Sequence, residues 1–196
     1  MKKKISKKDI LQLMKIDHDM LREAIAVFKN EHAFHSEKTR QLERFLFNLK
    51  VHSEAEEISF YDSMVGLLKL RAKILEGYEE HNLANHLMIE LKAMHFQNFW
   101  SEEVDAKAKV LAELIERHLN EEESKLFPVV KANMTKNELE NLGVIYLQTR
   151  KEKRRELENR FTLPSIESVT VAVQESFKGT FGRVSSFVSS QFSASR

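Results

Sequence analysis

The 196-residue sequence has no cysteine, only five glycines and two prolines, and 31 basic against 30 acidic residues. The lack of cysteine excludes disulfides, thiolate metal sites, iron–sulfur clusters and a cysteine nucleophile. The scattered glycines form neither a GxGxxG nor a GxxxxGK(S/T) loop, which argues against a nucleotide-binding α/β fold. The formal net charge of +1 provides no strongly basic surface, so we predict no nucleic-acid partner.

The sequence also lacks a hydrophobic run of the roughly 20 residues that a transmembrane helix requires. Residues 1–4 are rich in lysine, and the polar residues that follow interrupt any hydrophobic signal region. We therefore expect a cytoplasmic protein without a transmembrane segment.

Apolar residues recur at helical spacing over most of the chain. They mark four stretches, between positions 10 and 28, 42 and 60, 74 and 99, and 111 and 129. Gly66 is expected to end the second helix, and Pro128 to shorten or kink the fourth. Because no stretch alternates with a period of two and the connections are short, the pattern predicts an all-α, antiparallel up-down-up-down four-helix bundle.

Two further segments follow the predicted bundle. Thr135 and Glu138 have the spacing of a capping box, which predicts an added fifth helix to about residue 159. The serine-rich sequence after it carries one apolar helical stripe, made of Phe177, Phe181, Val184, Val188 and Phe192. We predict a bundle at residues 1–133, a helix at 134–160 and an amphipathic C-terminal tail at 161–196. The part from 165 to 192 would dock on the bundle, on a second copy or on a partner, or be partly disordered.

Each of the four helical stripes is interrupted by an inward-facing histidine, and two of these histidines have a glutamate four residues later. Residues four apart lie above one another on a helix, so each such pair presents an imidazole and a carboxylate together. The third helix instead places Asn85 four residues after its histidine, also facing inward. The six candidate ligands are His18, His52, Glu56, His81, His118 and Glu122.

Burying four imidazoles and two carboxylates without compensation would cost several kcal/mol per group. A metal ion would compensate directly. Imidazole and carboxylate ligands without thiolate suit iron, manganese or zinc, and two carboxylates on facing helices can bridge two ions. We therefore predict a metal site in one layer of the bundle.

Four short motifs carry this ligand pattern: Asp17-His18-Asp19, the stretch from His52 to Glu57, Glu79-Glu80-His81, and the stretch from His118 through Pro128. Together they resemble the hemerythrin-like, or HHE cation-binding, family over about residues 9–131. The resemblance implies a hemerythrin-like four-helix bundle whose six candidate residues bind non-haem iron. It further implies two irons per chain joined by an oxo or hydroxo bridge, with Glu56 and Glu122 as bridging carboxylates and O2, nitric oxide or peroxide as ligands.

The sequence departs from the oxygen-carrying members of that family in two places. Those members have a second histidine where Asn85 stands, and an aspartate five residues after the fourth histidine, where this chain has Glu122 at four. Fewer protein ligands leave more positions open on the metal, which makes peroxide chemistry more plausible. Glu57, Glu80 or Glu121 could close one of these positions.

Three functions remain open on the sequence alone. The first is a metal-binding protein that binds or senses O2, nitric oxide or peroxide, or stores iron. The second is a metal-dependent enzyme that degrades peroxide. The third is a structural or regulatory interaction protein in which the metal only stabilises the fold.

Four histidines receive no ligand role in these interpretations. His32 and His35 flank the first turn and are expected to be exposed. His86 should face outward, and His95 is too far along the third helix from His81 to share its metal.

Overall fold

The computed structural model describes residues 8–161, so the predicted tail lies almost entirely outside the described residues. Within these residues seven helices lie in chain order: α1 (Ile10–Lys29), α2 (His35–Glu56), α3 (Asp62–Met64), α4 (Leu68–Ala93), α5 (Glu102–Glu121), α6 (Phe127–Asn133) and α7 (Lys136–Phe161). Two π-helical turns, π1 (Glu57–Tyr61) and π2 (Glu122–Leu126), continue α2 into α3 and α5 into α6. Between residues 8 and 161 there is no β-strand, and the all-α prediction is confirmed.

The four long helices α1, α2, α4 and α5 form the bundle. Helix α1 packs against α2 and α5, and α4 packs against α5 and α2, which closes a ring of four. The antiparallel order of these helices stays a prediction. Within the described part of the chain, no helix combines the length and apolar character needed to cross a membrane.

Local sequence signals explain where the helices begin. Asp9 caps α1 in a reciprocal capping box with Gln12, and the Ser101 side chain accepts a hydrogen bond from the Val104 N–H at the start of α5. The predicted capping box of α7 is present: the Thr135 backbone N–H donates to the Glu138 carboxylate, and the Glu138 N–H donates to the Thr135 hydroxyl.

Two details of the predicted helices are wrong. Helix α4 ends at Ala93, and Phe99, taken as a marker of that helix, lies in the connection with 72% of its surface exposed. Pro128 does not shorten the fourth helix. It lies in the first turn of α6, where a missing backbone N–H costs little, and π2 carries the chain from α5 into α6.

Buried apolar residues form two clusters. The first cluster includes Leu21, Leu49, Ala84 and Ile115, and the second includes Met14, Ala55, Ile74 and Leu126. On each of the four chain segments, the predicted histidine ligand falls between a residue of one cluster and a residue of the other. The fold therefore holds a polar layer between two apolar clusters.

Candidate metal centre

The six candidate ligands are all buried in this polar layer. None exposes more than 5% of its surface, the values being His18 0%, His52 1%, Glu56 0%, His81 5%, His118 2% and Glu122 4%. Asn85, which the helical pattern also predicts to face inward, is only half-buried. Its side-chain oxygen accepts a hydrogen bond from Lys50 Nζ at 3.0 Å, so that inward placement is wrong.

The Nε2 atoms of the histidines converge on the two glutamates. Glu56 Oε2 lies 3.5 Å from His52 Nε2 and 3.4 Å from His81 Nε2. Glu122 Oε2 lies 3.4 Å from His18 Nε2 and 3.8 Å from His118 Nε2. The Nε2 atoms of His81 and His118 are 3.1 Å apart. Each glutamate thus lies between two histidines on different helices.

These ligand atoms form two groups in which all atoms lie within 4.8 Å of one another. The first group comprises His18, His52, Glu56 and Glu122, and the second comprises Glu56, His81 and His118. With metal–ligand bonds of about 2.1 Å, two ligands of one ion stand roughly 3.0 to 3.4 Å apart. The observed separations are close to that range, and Glu56 belongs to both groups.

The other ring nitrogen of each histidine, Nδ1, has its own hydrogen-bond partner. Three of the partners are carboxylates and one is a phenol: Glu123 for His18 (2.9 Å), Tyr146 for His52 (2.9 Å), Glu57 for His81 (2.8 Å) and Glu80 for His118 (2.7 Å). A partner that accepts the Nδ1 proton leaves the Nε2 lone pair free for a metal and fixes the orientation of the ring.

These four partners were not predicted in this role. Glu57, Glu80 and Glu121 were predicted as possible extra metal ligands, but Glu57 and Glu80 bind Nδ1 atoms, and Glu121 pairs with Lys73 at 2.9 Å. One signal was available: Glu57, Glu80 and Glu123 are each directly next to a candidate ligand in sequence. Tyr146 has no such signal, because it comes from a helix outside the bundle.

Among the residues that the structure describes, five buried side-chain atoms of this cluster have no hydrogen-bond partner: His18 Nε2, His52 Nε2, both carboxylate oxygens of Glu56, and Glu122 Oε2. Leaving a buried polar group unpaired costs about 1–3 kcal/mol, and more when it is charged. All five atoms are potential metal ligands that face one another. An ion bound between them would satisfy the whole set at once, so the residues present fit a metal.

The charge state of the metal-free cluster follows from this crowding. Burial and the neighbouring charge of Glu122 raise the pKa of Glu56 well above its ordinary value. Burial also opposes the charged form of Glu122, but His118 and His18 outweigh it and hold the pKa of Glu122 below its ordinary value. Burial and the charge of His18 lower the pKa of His52. A neutral His52 imidazole is the form that binds a metal.

Tyr61 closes one side of the cluster. Its hydroxyl donates to Glu122 Oε1 at 2.7 Å, and its ring stacks on His81 with centroids 5.5 Å apart. The absence of a side chain at Gly77 makes room for this ring, since a Cβ there would lie 2.7 Å from Tyr61 Cζ. Burial and the charge of Glu122 raise the pKa of Tyr61 well above its ordinary value, so it stays a hydrogen-bond donor.

The two His-x-x-x-Glu pairs share a local feature. His52 and Glu56 precede π1 directly, and Glu122, four residues after His118, is the first residue of π2. Single π-helical turns inside α-helices are frequent at functional sites. Here they place Tyr61, the last residue of π1, against Glu122, the first residue of π2.

The family model named hemerythrin HHE cation binding domain matches residues 9–130, a span that contains all six candidate ligands. The chain belongs to this family. No curated protein and no solved structure matches the chain. The buried His/Glu cluster and the family together identify a metal-binding protein of the hemerythrin type.

The remaining histidines of this hemerythrin-like chain stay outside the cluster. His32, His35, His86 and His95 are exposed, as predicted for the first three. His86 Nδ1 lies 2.8 Å from the backbone carbonyl oxygen of Asn82, which keeps that ring on the outer face of α4. Within residues 8–161, no further group of His, Asp or Glu side chains is placed to hold an ion.

Proposed function

We propose that this chain holds two metal ions in the polar layer and binds a small ligand there, namely O2, nitric oxide or peroxide. The observation that carries the proposal is the set of five buried, unpartnered ligand atoms that face one another. In an ordinary bundle such atoms would only destabilise the fold. Two positive ions shared between the two ligand groups would neutralise both carboxylates and pair all five atoms.

The two groups suggest how the ions are held. One ion would take His18, His52 and Glu122, the other would take His81 and His118, and Glu56 would bridge them because it belongs to both groups. Glu122 is the second candidate bridge, since its Oε2 lies between His18 and His118. Imidazole and carboxylate ligands suit iron, and iron is typical of the family. Iron would supply open coordination positions and electrons for O2, nitric oxide or peroxide.

A narrow cavity supports a small ligand rather than a large one. It has a volume of about 20 Å³, and His118, Glu122 and Tyr61 line it on the side of the cluster. Lys73 and Glu121 also line it and form an ion pair at 2.9 Å. A space of this volume accommodates about one water-sized molecule. A diatomic gas or hydrogen peroxide fits this limit, and a bulky organic substrate does not.

Metal content and the visible spectrum test the proposal. The chain, loaded anaerobically with Fe(II), should bind about two irons and develop an absorption band of a bridged iron pair on exposure to air. His81→Ala should lose one of the two ions, because it removes one of three residues in its group. The matched control is His86→Ala on the exposed face of the same helix, which should keep both. Wild-type protein that stays metal-free would refute the proposal.

Peroxide breakdown at the same centre is the second candidate function. Tyr61 favours it, because its hydroxyl lines the cavity, where it could turn from Glu122 Oε1 to hydrogen peroxide and donate a hydrogen bond to it. We expect Tyr61→Phe to slow hydrogen peroxide consumption by about 100- to 1,000-fold. Tyr78→Phe, which removes a hydroxyl that donates to the exposed Asp62 instead, should retain the wild-type rate. Consumption by wild type no faster than by His52→Ala would exclude this activity.

A further inference from the structure

Helix α7 lies outside residues 9–130, the span that matches the family, and yet it reaches the candidate metal centre. Its residue Tyr146 is fully buried, and the Tyr146 hydroxyl lies 2.9 Å from His52 Nδ1. Of the four candidate histidine ligands, His52 is the one whose Nδ1 partner comes from outside the bundle and is not a carboxylate.

The hydroxyl proton of Tyr146 is already committed. It donates to Asp17 Oδ2 at 2.7 Å, and a phenol has only one proton to give. The oxygen of Tyr146 can therefore only accept from His52. The Nδ1 of His52 must then carry the ring proton, which leaves the Nε2 lone pair directed at Glu56 and the ligand cluster.

Asp17, which accepts the hydroxyl proton of Tyr146, is also contacted by a second residue of α7. Asp17 is 3% exposed, and Arg150 Nε forms an ion pair with the same Oδ2 atom at 2.7 Å. Asp17 Oδ2 therefore lies between the Arg150 guanidinium group and the Tyr146 hydroxyl, from which it accepts a hydrogen bond. Tyr146 and Arg150 are four residues apart and therefore lie on one face of α7, so a single helix supplies both groups.

Close packing brings this face of α7 to the bundle. Gly143, three residues before Tyr146, lies against the start of α1, where an added Cβ would be 2.8 Å from the Lys8 carbonyl oxygen and 3.1 Å from Ile10 N. Leu139 and Leu142 of α7 join the second apolar cluster. Helix α7 is therefore anchored to the bundle within the two turns that precede Tyr146.

We propose that Tyr146 is a positioning residue for His52, and that α7 is thereby an integral part of the metal centre. The hydrogen bonds from His52 to Tyr146 and from Tyr146 to Asp17, together with the ion pair between Asp17 and Arg150, fix the His52 tautomer before any metal binds. The metal-binding consequence rests on the proposed function, in which His52 is a ligand, whereas the tautomer itself does not depend on a metal.

The experiment compares Tyr146→Phe with wild type in the full chain. In the metal-free protein, ¹⁵N shifts of labelled histidines, with His52 assigned by its substitution with Gln, should show wild-type His52 protonated at Nδ1. Tyr146→Phe should move the proton towards Nε2. Fe(II) affinity, measured anaerobically by competition with a chromophoric chelator, should fall about 10- to 100-fold, the usual effect of losing a group that orients a metal-binding histidine.

Tyr78→Phe is the matched control, because its hydroxyl donates to Asp62 and not to any of the candidate ligands or their partners. It should lower thermal stability somewhat and leave both the His52 tautomer and the Fe(II) affinity unchanged. An unchanged His52 tautomer in Tyr146→Phe would overturn the inference. The inference would also be overturned if the Fe(II) affinity of Tyr146→Phe fell no further than that of Tyr78→Phe.

The design separates this inference from the proposed function. Wild type that binds no Fe(II) would refute the metal centre, and the tautomer of the metal-free protein would still decide the role of Tyr146. Asp17→Asn replaces Tyr146→Phe if that variant does not fold. It keeps the side-chain volume, weakens the contact with Arg150, and should shift the tautomer and the affinity in the same direction by a smaller amount. Wild-type behaviour of Asp17→Asn would then overturn the inference.

Discussion

Two regions of this bundle bury charged side chains and treat them in opposite ways. Beside the first apolar cluster, buried Lys38 donates to Asp105 Oδ1 at 2.8 Å, and Trp100 Nε1 donates to the same atom at 3.0 Å. Lys109 lies 2.9 Å from the other oxygen of Asp105. In the polar layer, by contrast, five ligand atoms have no hydrogen-bond partner within residues 8–161.

The difference separates a structural charge pair from a binding site. The chain itself satisfies the Lys38–Asp105 pair, so that pair contributes to folding without any ligand. In the polar layer the Nδ1 atoms and Glu122 Oε1 have hydrogen-bond partners, and the Nε2 atoms of His81 and His118 have each other, whereas five ligand atoms have none among the described residues. Substitutions in the polar layer should therefore change metal binding, and substitutions in the Lys38–Asp105 pair should change stability alone.

The largest expected effect follows Glu56→Leu, which removes the carboxylate shared by both ligand groups. The metal-loaded protein should retain at most one of two ions. The metal-free protein should be as stable as wild type or more stable by about 1–3 kcal/mol, because a buried unpaired carboxylate is replaced by an apolar side chain of similar size. Metal analysis and urea unfolding of the metal-free protein measure the two quantities.

Glu54→Leu is the matched control on the same helix, where Glu54 is partly exposed and pairs with Lys50. It should keep both ions. A metal-free Glu56→Leu protein that is less stable than wild type by more than about 1 kcal/mol would contradict the view that this region is strained without metal.

The next largest effect is a loss of stability without a loss of metal. Asp105→Ala should lower the free energy of unfolding by about 2–3 kcal/mol, because it leaves the buried ammonium group of Lys38 without its partner. Its metal content should be that of wild type. Asp19→Ala, which breaks an exposed pair with Lys15, should cost less than about 1 kcal/mol. Loss of metal in Asp105→Ala would show that the two regions are not independent.

The smallest expected effect concerns the stability of the protein at low pH. Burial alone would raise the pKa of Asp105, but the hydrogen bonds from Lys38, Lys109 and Trp100 outweigh it and lower this pKa from 3.8 to about 2. A depressed carboxylate pKa stabilises the fold above the unfolded pKa, and that contribution is lost as the pH falls towards the folded pKa. The stability difference between metal-free wild type and Asp105→Ala should therefore shrink by about 1–2 kcal/mol between pH 5 and pH 2.5. An unchanged difference would mean that the pair does not depress this pKa.

The histidine layer could be predicted because its spacing follows the helix. His52 with Glu56, and His118 with Glu122, follow directly from the four-residue repeat, and the apolar residues around them set the inward face. The same repeat fails for Asn85, although its offset of about 40° round α4 from His81 equals the offset between His52 and Glu56. Lys50 of the neighbouring helix donates to the Asn85 side-chain oxygen, and this contact between helices holds the amide outside the cluster.

Phe99 shows a second limit of predicting burial from helical periodicity. An apolar side chain that continues a helical pattern predicts burial, but the helix ends at Ala93 and nothing covers Phe99 within the described part of the chain. The sequence carries no capping glycine or proline near residue 93 that would have marked this end.

The sequence by itself determined the all-α class and the fifth helix with its capping box. It also determined the six side chains that meet in the polar layer. Each of these features depends on residues within about one helical turn of one another. Only the tertiary structure decided which groups form hydrogen bonds with the Nδ1 atoms of the histidines. Glu80 and His118 are on different helices, and Tyr146 lies 94 positions after His52. Such pairings depend on how helices pack against one another, and no local periodicity encodes that distance.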